Sequence, residues 1–182
     1  GTGCILVTLL AELPFATGLG TDLSLGALAI AAANASANGV GPRASFIATD
    51  WLDAVSGRFD LVLANPPYLA TGEIAGLAEE VAAYDPRLAL DGGPDGLEAY
   101  RRIAAGARDV LTEGGLLLVE IGPGQGKEVA AILSRAGVTP GEEGAAADIG
   151  EATRRVEDML GHRRVPLAQD GSDRLVRLWP PA

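Results

Sequence analysis

The sequence predicts an α/β fold: a mostly parallel sheet with helices on both faces. Short, nearly all-apolar runs alternate with helix-length segments, the pattern of strands buried on both faces. The residues that stand out chemically each follow directly on one of these runs. In open parallel sheets ligands sit at the carboxyl ends of the strands. The 182 residues, 48% apolar and 21% charged, suffice for one domain with a sizeable core.

Cys4–Leu13 reads as a buried helix stopped before Pro14. Ala16–Asp22 is a short strand ending on an acid. Ser24 is a helix cap for the Ala-rich segment after it, and Asn38-Gly39 is its stop. Ala44–Thr49 is a strand leading to Asp50-Trp51, and Arg58–Ala64 a nearly all-apolar strand leading to Asn65-Pro66-Pro67-Tyr68. An irregular stretch, Leu69 to Pro94, precedes a helix over Leu97–Leu111. Leu116–Ile121 is a further buried strand and Gln125–Ala136 a further helix. In the tail, Pro140–Ala168 has one helix-like piece, Glu151–Leu160, and Arg174–Trp179 reads as a closing edge strand. There is no internal repeat and no separate linker.

Composition narrows the partners. Asp and Glu number 24 against 14 Lys and Arg, a net charge of −10, poorly suited to wrapping phosphate backbones. The single cysteine, Cys4, allows no internal disulfide and fits a reducing cytoplasm; it reads as a small buried apolar residue. The apolar run Ile5–Ala11 is too short to span a bilayer and has no basic segment ahead of it. The only histidine, His162, lies between charged residues, which argues against histidine acid–base chemistry and against a metal cluster. The chain begins with Gly rather than Met and reads as a fragment.

Gly1-Thr2-Gly3 opens the first helix, where glycines let a ligand approach unpaired N–H groups. Asp22 ends the next strand, about 20 residues on, where an acid can bind ribose hydroxyls. Asp50 can accept from an exocyclic amine, and Trp51 can pack on an adenine face. Together these strand ends outline a nucleoside-shaped cleft. In Asn65-Pro66-Pro67-Tyr68, each proline forces its predecessor into extended geometry, and neither has an N–H. A rigid rim results, presenting the Asn65 side-chain oxygen and the Pro66 carbonyl as two acceptors for one NH2 group, with Tyr68 as an aromatic wall. Two neighbouring stretches read more simply: "GPGQGKE" as a strand-to-helix turn, because its spacing is wrong for a phosphate loop, and "DGGPDG" as a tight loop, with a part in shaping the substrate channel as its other reading.

The Asn-Pro-Pro-Tyr motif, with its upstream glycines and acid, resembles the amino-methyltransferases that use S-adenosylmethionine (SAM). "YDPRLALDGGPDGLEAYRRI", "FIATDWLDAVSGRFDLVLANPPY" and "VEIGPGQGKEV" resemble the HemK/PrmC family, the release-factor glutamine N(5)-methyltransferases, with the likeness running to about Val138. The resemblance implies a Rossmann-like SAM-dependent methyltransferase fold lacking its first strand. It implies one catalytic domain over residues 1–182, incomplete at its start and without the family's N-terminal helical docking domain. Gly1, Thr2 and Gly3 fall on the family's cofactor loop, Asp22 on its ribose-binding acid, Asp50 and Trp51 beside the adenine. Asn65, Pro66, Pro67 and Tyr68 fall on the motif that grips the substrate glutamine, with Asn65 also near the cofactor. The implied substrate is the glutamine of the Gly-Gly-Gln loop of bacterial class-one release factors. Absence of the first strand is expected to leave a gap in the sheet.

Three alternatives stand beside this: an adenine-N6 methyltransferase of DNA or RNA acting on a flipped base, a ribosomal-protein glutamine methyltransferase, and an inactive fragment. The −10 charge and the lack of a basic target-reading segment weigh against the first.

Overall fold

Two parallel strand pairs form the framework of this protein, seen in a computed structural model that describes residues 1–77, 85–138 and 176–179. The chain divides into two compact units, Gly1–Ser56 and Gly57–Ala182. Tyr84, the helix-like piece 151–160, His162 and the rest of segment 140–168 lie outside the described residues.

The first unit contains α1 (Cys4–Glu12), β1 (Gly18–Asp22), α2 (Leu25–Ala37) and β2 (Ala44–Ala48). β1 and β2 run parallel in register from Gly18↔Ala44 to Asp22↔Ala48. Ser24 caps α2 as its sequence suggests, its hydroxyl oxygen accepting from the Ala27 N–H at 3.2 Å. The far end of α2 closes in a Schellman turn, Val40 N–H to Ala35 O at 2.9 Å and Gly39 N–H to Ser36 O at 3.0 Å. Gly39 supplies the positive φ of 71° that this turn requires. Ala35 and Val40 also share a core with Val7 and Leu10, which completes the motif's apolar contact.

Arg43 fastens the loop after α1. Its guanidinium donates to the carbonyls of Leu13 and Ala16, each at 2.8 Å, and to that of Leu10. A cation at a helix C-terminus answers both the orphan carbonyls and the negative end of the dipole. α1 is less buried than its apolar sequence suggests. Val7 and Leu10 are buried, whereas Ile5 is exposed. Cys4 is exposed too, correcting its reading as a core residue: at the first position of α1 it faces outward.

The second unit contains β3 (Phe59–Ala64), α3 (Arg87–Leu90), α4 (Glu98–Val110), β4 (Leu111–Glu120), α5 (Gly126–Arg135) and β5 (Val176–Trp179). β3 pairs parallel with β4, and β5 closes the edge antiparallel to β4. The five strands among the described residues therefore form two sheets, β1–β2 and β3–β4–β5. β4 starts five residues before the predicted Leu116. Its register with β3 shifts between Phe59 and Leu61, and Gly114, at φ 77°, absorbs the irregularity.

α4 is amphipathic in the plain sense: Tyr100, Ile103, Ala107 and Val110 are buried on one face, with Arg101 and Arg108 exposed on the other. The helix packs against β4 and α5, where Leu111, Leu117, Val119, Val129 and Leu133 are all at most 2% exposed. The stretch predicted as irregular holds a short 3-10 turn (Ile74–Gly76), α3, and a parallel bridge between Leu69 and Asp91. Single turns of this kind have no sequence periodicity by which to be seen.

Candidate active site

In the first unit the sequence-predicted cofactor residues gather at one end of the β1–β2 pair. Gly3 takes φ 78° at the N-terminus of α1. A Cβ there would stand 2.8 Å from Ala31 Cβ, so the glycine lets α1 begin tight against α2. At Gly1 an added Cβ would meet nothing within 4 Å. Gly3 thus serves helix packing. Thr2 is held by its carbonyl, which accepts from Asn34 Nδ2 at 2.9 Å.

The terminal ammonium on Gly1 pairs with Asp22 Oδ2. Asp22 Oδ1 accepts from the Ser24 N–H at 2.7 Å. A carboxylate offers about four lone-pair sites, so these two bonds leave capacity for a vicinal diol. The free acceptor capacity of Asp22 thus fits the hydroxyls of a ribose. The Thr49 N–H donates to the Asp22 carbonyl at 3.1 Å, carrying the ladder one step past β2. Asp50 and Trp51, both partly buried, follow immediately.

Trp51 has φ 51°, the one positive φ outside glycine among the described residues. A bulky side chain in left-handed geometry costs on the order of 1–3 kcal/mol and persists only where surroundings impose it. The surroundings are a tight turn: Asp53 N–H to Asp50 O at 3.1 Å, and Ala54 N–H to the buried Thr49 Oγ1 at 3.1 Å. Sequence reading chose Trp51 for its ring; the strained backbone was not visible there.

In the second unit, Asn65-Pro66-Pro67-Tyr68 leaves the end of β3, where Ala64 pairs with Val119. Asn65 is exposed, Pro66 is among the fully buried side chains, and Pro67 and Tyr68 are partly buried. The side-chain amide of Asn65 thus stands at the surface on a buried anchor.

Two glycine-bearing loops brace this rim. In residues 91–96, the Leu69 carbonyl accepts from Gly92 N–H at 2.8 Å and Thr71 N–H donates to Gly93 O at 2.9 Å. Asp91 Oδ1 accepts from Thr71 Oγ1 at 2.7 Å and Gly93 N–H at 3.0 Å. Those two bonds, the hydroxyl's first, hold the Asp91 carboxyl below its usual range, with Arg87 assisting. Asp95 is likewise lowered, by the Arg101 guanidinium first and then the Leu97 N–H. From the turn after β4, Gln125 donates its amide to the Tyr68 carbonyl at 2.8 Å. Beneath, Tyr100 is fully buried and donates its hydroxyl to the Glu120 carbonyl at 2.9 Å. Burial pushes that phenol far above its normal pKa, so it stays protonated.

Sequence reading missed Gln125 as part of this site, while for residues 91–96 it offered a tight loop able to shape the substrate channel. Its reading of "GPGQGKE" as a strand-to-helix turn holds, since Gln125 is the N-cap of α5. Among the described residues no three His, Cys, Asp or Glu side chains cluster as metal ligands. No helix among them is long and apolar enough to cross a membrane.

Parallel strands with acids and an Asn-Pro-Pro-Tyr rim at their carboxyl ends are the features of a methyltransferase-class α/β protein. A solved structure of a TehB-like SAM-dependent methyltransferase from Corynebacterium glutamicum is similar in fold, with a TM-score of 0.55 at 20% identity. That match covers 100% of this chain and 76% of that one. The chain belongs to the methyltransferase small domain family, whose model matches residues 1–135.

It is 56% identical over 138 residues to a release factor glutamine methyltransferase of Cereibacter sphaeroides, covering 76% of this chain and 50% of that protein. It is 45% identical over 168 residues to a protein of the same name from Caulobacter vibrioides, covering 92% and 54%. An alignment of 168 residues necessarily passes Val138, so the likeness extends further into the tail than the motifs alone suggest. The chain spans about half the length of these relatives.

Proposed function

We propose that this chain forms the catalytic domain of a SAM-dependent enzyme that methylates the side-chain amide nitrogen of a glutamine. The glutamine is that of the Gly-Gly-Gln motif of bacterial class-one release factors. The observation that carries the reading is the rim itself: an exposed Asn65 amide on a buried Pro66, at the end of a parallel strand. The names borne by the curated relatives support the choice of acceptor.

Gly1, Thr2, Gly3 and Asp22 are the residues to hold the cofactor's main chain and ribose, with Asp50 and Trp51 at its adenine. SAM supplies a methyl group already activated on a sulfonium, so the protein's task is to prepare the acceptor. An amide nitrogen is a poor nucleophile because its lone pair is delocalised into the carbonyl. Asn65 Oδ1 and the Pro66 carbonyl accept the two N–H groups of the substrate amide and turn its lone pair outward. As nitrogen becomes positive, the same two oxygens stabilise it, an alignment and electrostatic gain that requires no metal. Tyr68 walls the planar amide, and the proton leaves after transfer.

Asn65→Ala is expected to lower kcat on a class-one release factor by about a hundredfold to a thousandfold. Cofactor affinity, measured by calorimetry, stays within about twofold, because the lost interaction is one made to the acceptor. A loss of affinity with turnover retained would remove Asn65 from this role.

A further inference from the structure

We propose that Gln125 is a positioning residue for the Asn65–Tyr68 rim, acting through the Tyr68 carbonyl. Its role in turnover rests on the methyl-transfer reading above. Three backbone groups surround its side-chain amide. Nε2 donates to Tyr68 O at 2.8 Å and to Gly96 O at 3.4 Å, while Oε1 accepts from the Gly122 N–H at 3.1 Å. The orientation is forced by chemistry: two carbonyls demand a donor, and one N–H demands an acceptor. Only a primary amide answers all three.

The space around the amide is equally restrictive. A Cβ at Gly96 would fall 2.4 Å from Tyr68 O and 2.7 Å from Gln125 Nε2. One at Gly122 would fall 2.8 Å from Gln125 Oε1 and 2.9 Å from Tyr68 Cδ2. Two glycines thus leave room for one side-chain amide and the Tyr68 ring. Gln125 is itself fixed at the start of α5, its N–H donating to Gly122 O at 3.2 Å and its carbonyl accepting from Val129 N–H at 3.0 Å. It therefore ties three segments, the rim, residues 91–96 and the turn after β4, to one rigid helix. Tyr68 follows the rim's two prolines, which have little freedom to absorb a displacement. Release of Tyr68 therefore passes back to Asn65.

The test uses the full chain with Gln125→Met, which keeps length and removes all three bonds, and Gln125→Glu, which turns an acceptor toward two carbonyls. Two readouts are needed. In 15N relaxation dispersion, both variants are expected to bring microsecond–millisecond exchange to the Tyr68 and Gly96 amides and the Asn65 side-chain NH2. The core amides of Leu117 and Val119 stay as in the parent. In methyl transfer to a class-one release factor, kcat falls by about tenfold to a hundredfold, the effect of a misplacement near 1 Å. SAM affinity stays within about twofold.

Exchange spread over Leu117 and Val119, or none at Tyr68 and Asn65, overturns the proposal, as does an unchanged kcat beside perturbed dynamics. If the parent chain transfers no methyl group while the dynamics change locally, the positioning of the rim stands and the methyl-transfer reading above fails for this chain.

Discussion

Asn65 and Trp51 owe their chemistry to opposite kinds of constraint. Asn65 is held from outside the residue, by Pro66 buried beside it and by extended geometry that proline enforces. This was legible in the sequence, because proline writes its backbone restriction into the residue type. Trp51 is held by a turn that forces φ to 51°, and nothing in the letters Asp-Trp announces it. The strain makes a prediction. Trp51→Gly and Trp51→Ala remove the same ring, but only alanine keeps the left-handed penalty, on the order of 1 kcal/mol. The glycine variant is expected to melt higher than the alanine variant, and both to lose SAM affinity by about tenfold. Equal melting temperatures would show that the turn relaxes freely.

Helices and strands were largely readable because each carries its own signal. The Ser24 cap and the Asn38-Gly39 stop bracket α2, and apolar runs mark β3 and β4. The bracing loop was not readable, since it works through contacts between residues far apart in sequence, such as Thr71 with Asp91. A loop built on a charged hydrogen-bond acceptor should respond to acid. The Asp91 carboxyl lies below its ordinary 3.8 when folded, so its stabilisation of the loop is complete above that value. It is lost as pH falls through the lower, folded value. The Gly93 amide resonance is expected to titrate with a midpoint below 3.8, and Asp91→Asn to abolish that transition. A midpoint at or above 3.8 would mean that the Thr71 and Gly93 bonds do not favour the charged form.

The chain presents two sets of residues, one suited to a nucleoside cofactor and one to an amide, in two compact units. The parallel pairing and the succession of strands along the chain followed from alternation of apolar runs and helices. Their division into two sheets is a fact of pairing that hydropathy does not encode, because an apolar strand carries no address for its neighbour; the expectation of a gap came from the family resemblance instead. The net charge of −10 favours a protein acceptor over a nucleic acid, and the curated relatives bear names in keeping with that. The decisive measurement is methyl transfer from labelled SAM to a purified class-one release factor, beside its Gln→Ala variant in the Gly-Gly-Gln loop. Label on the wild-type factor alone is the expected result. Equal label on both factors would contradict the assignment of that glutamine as the acceptor, and label on neither would contradict methyl transfer by this chain.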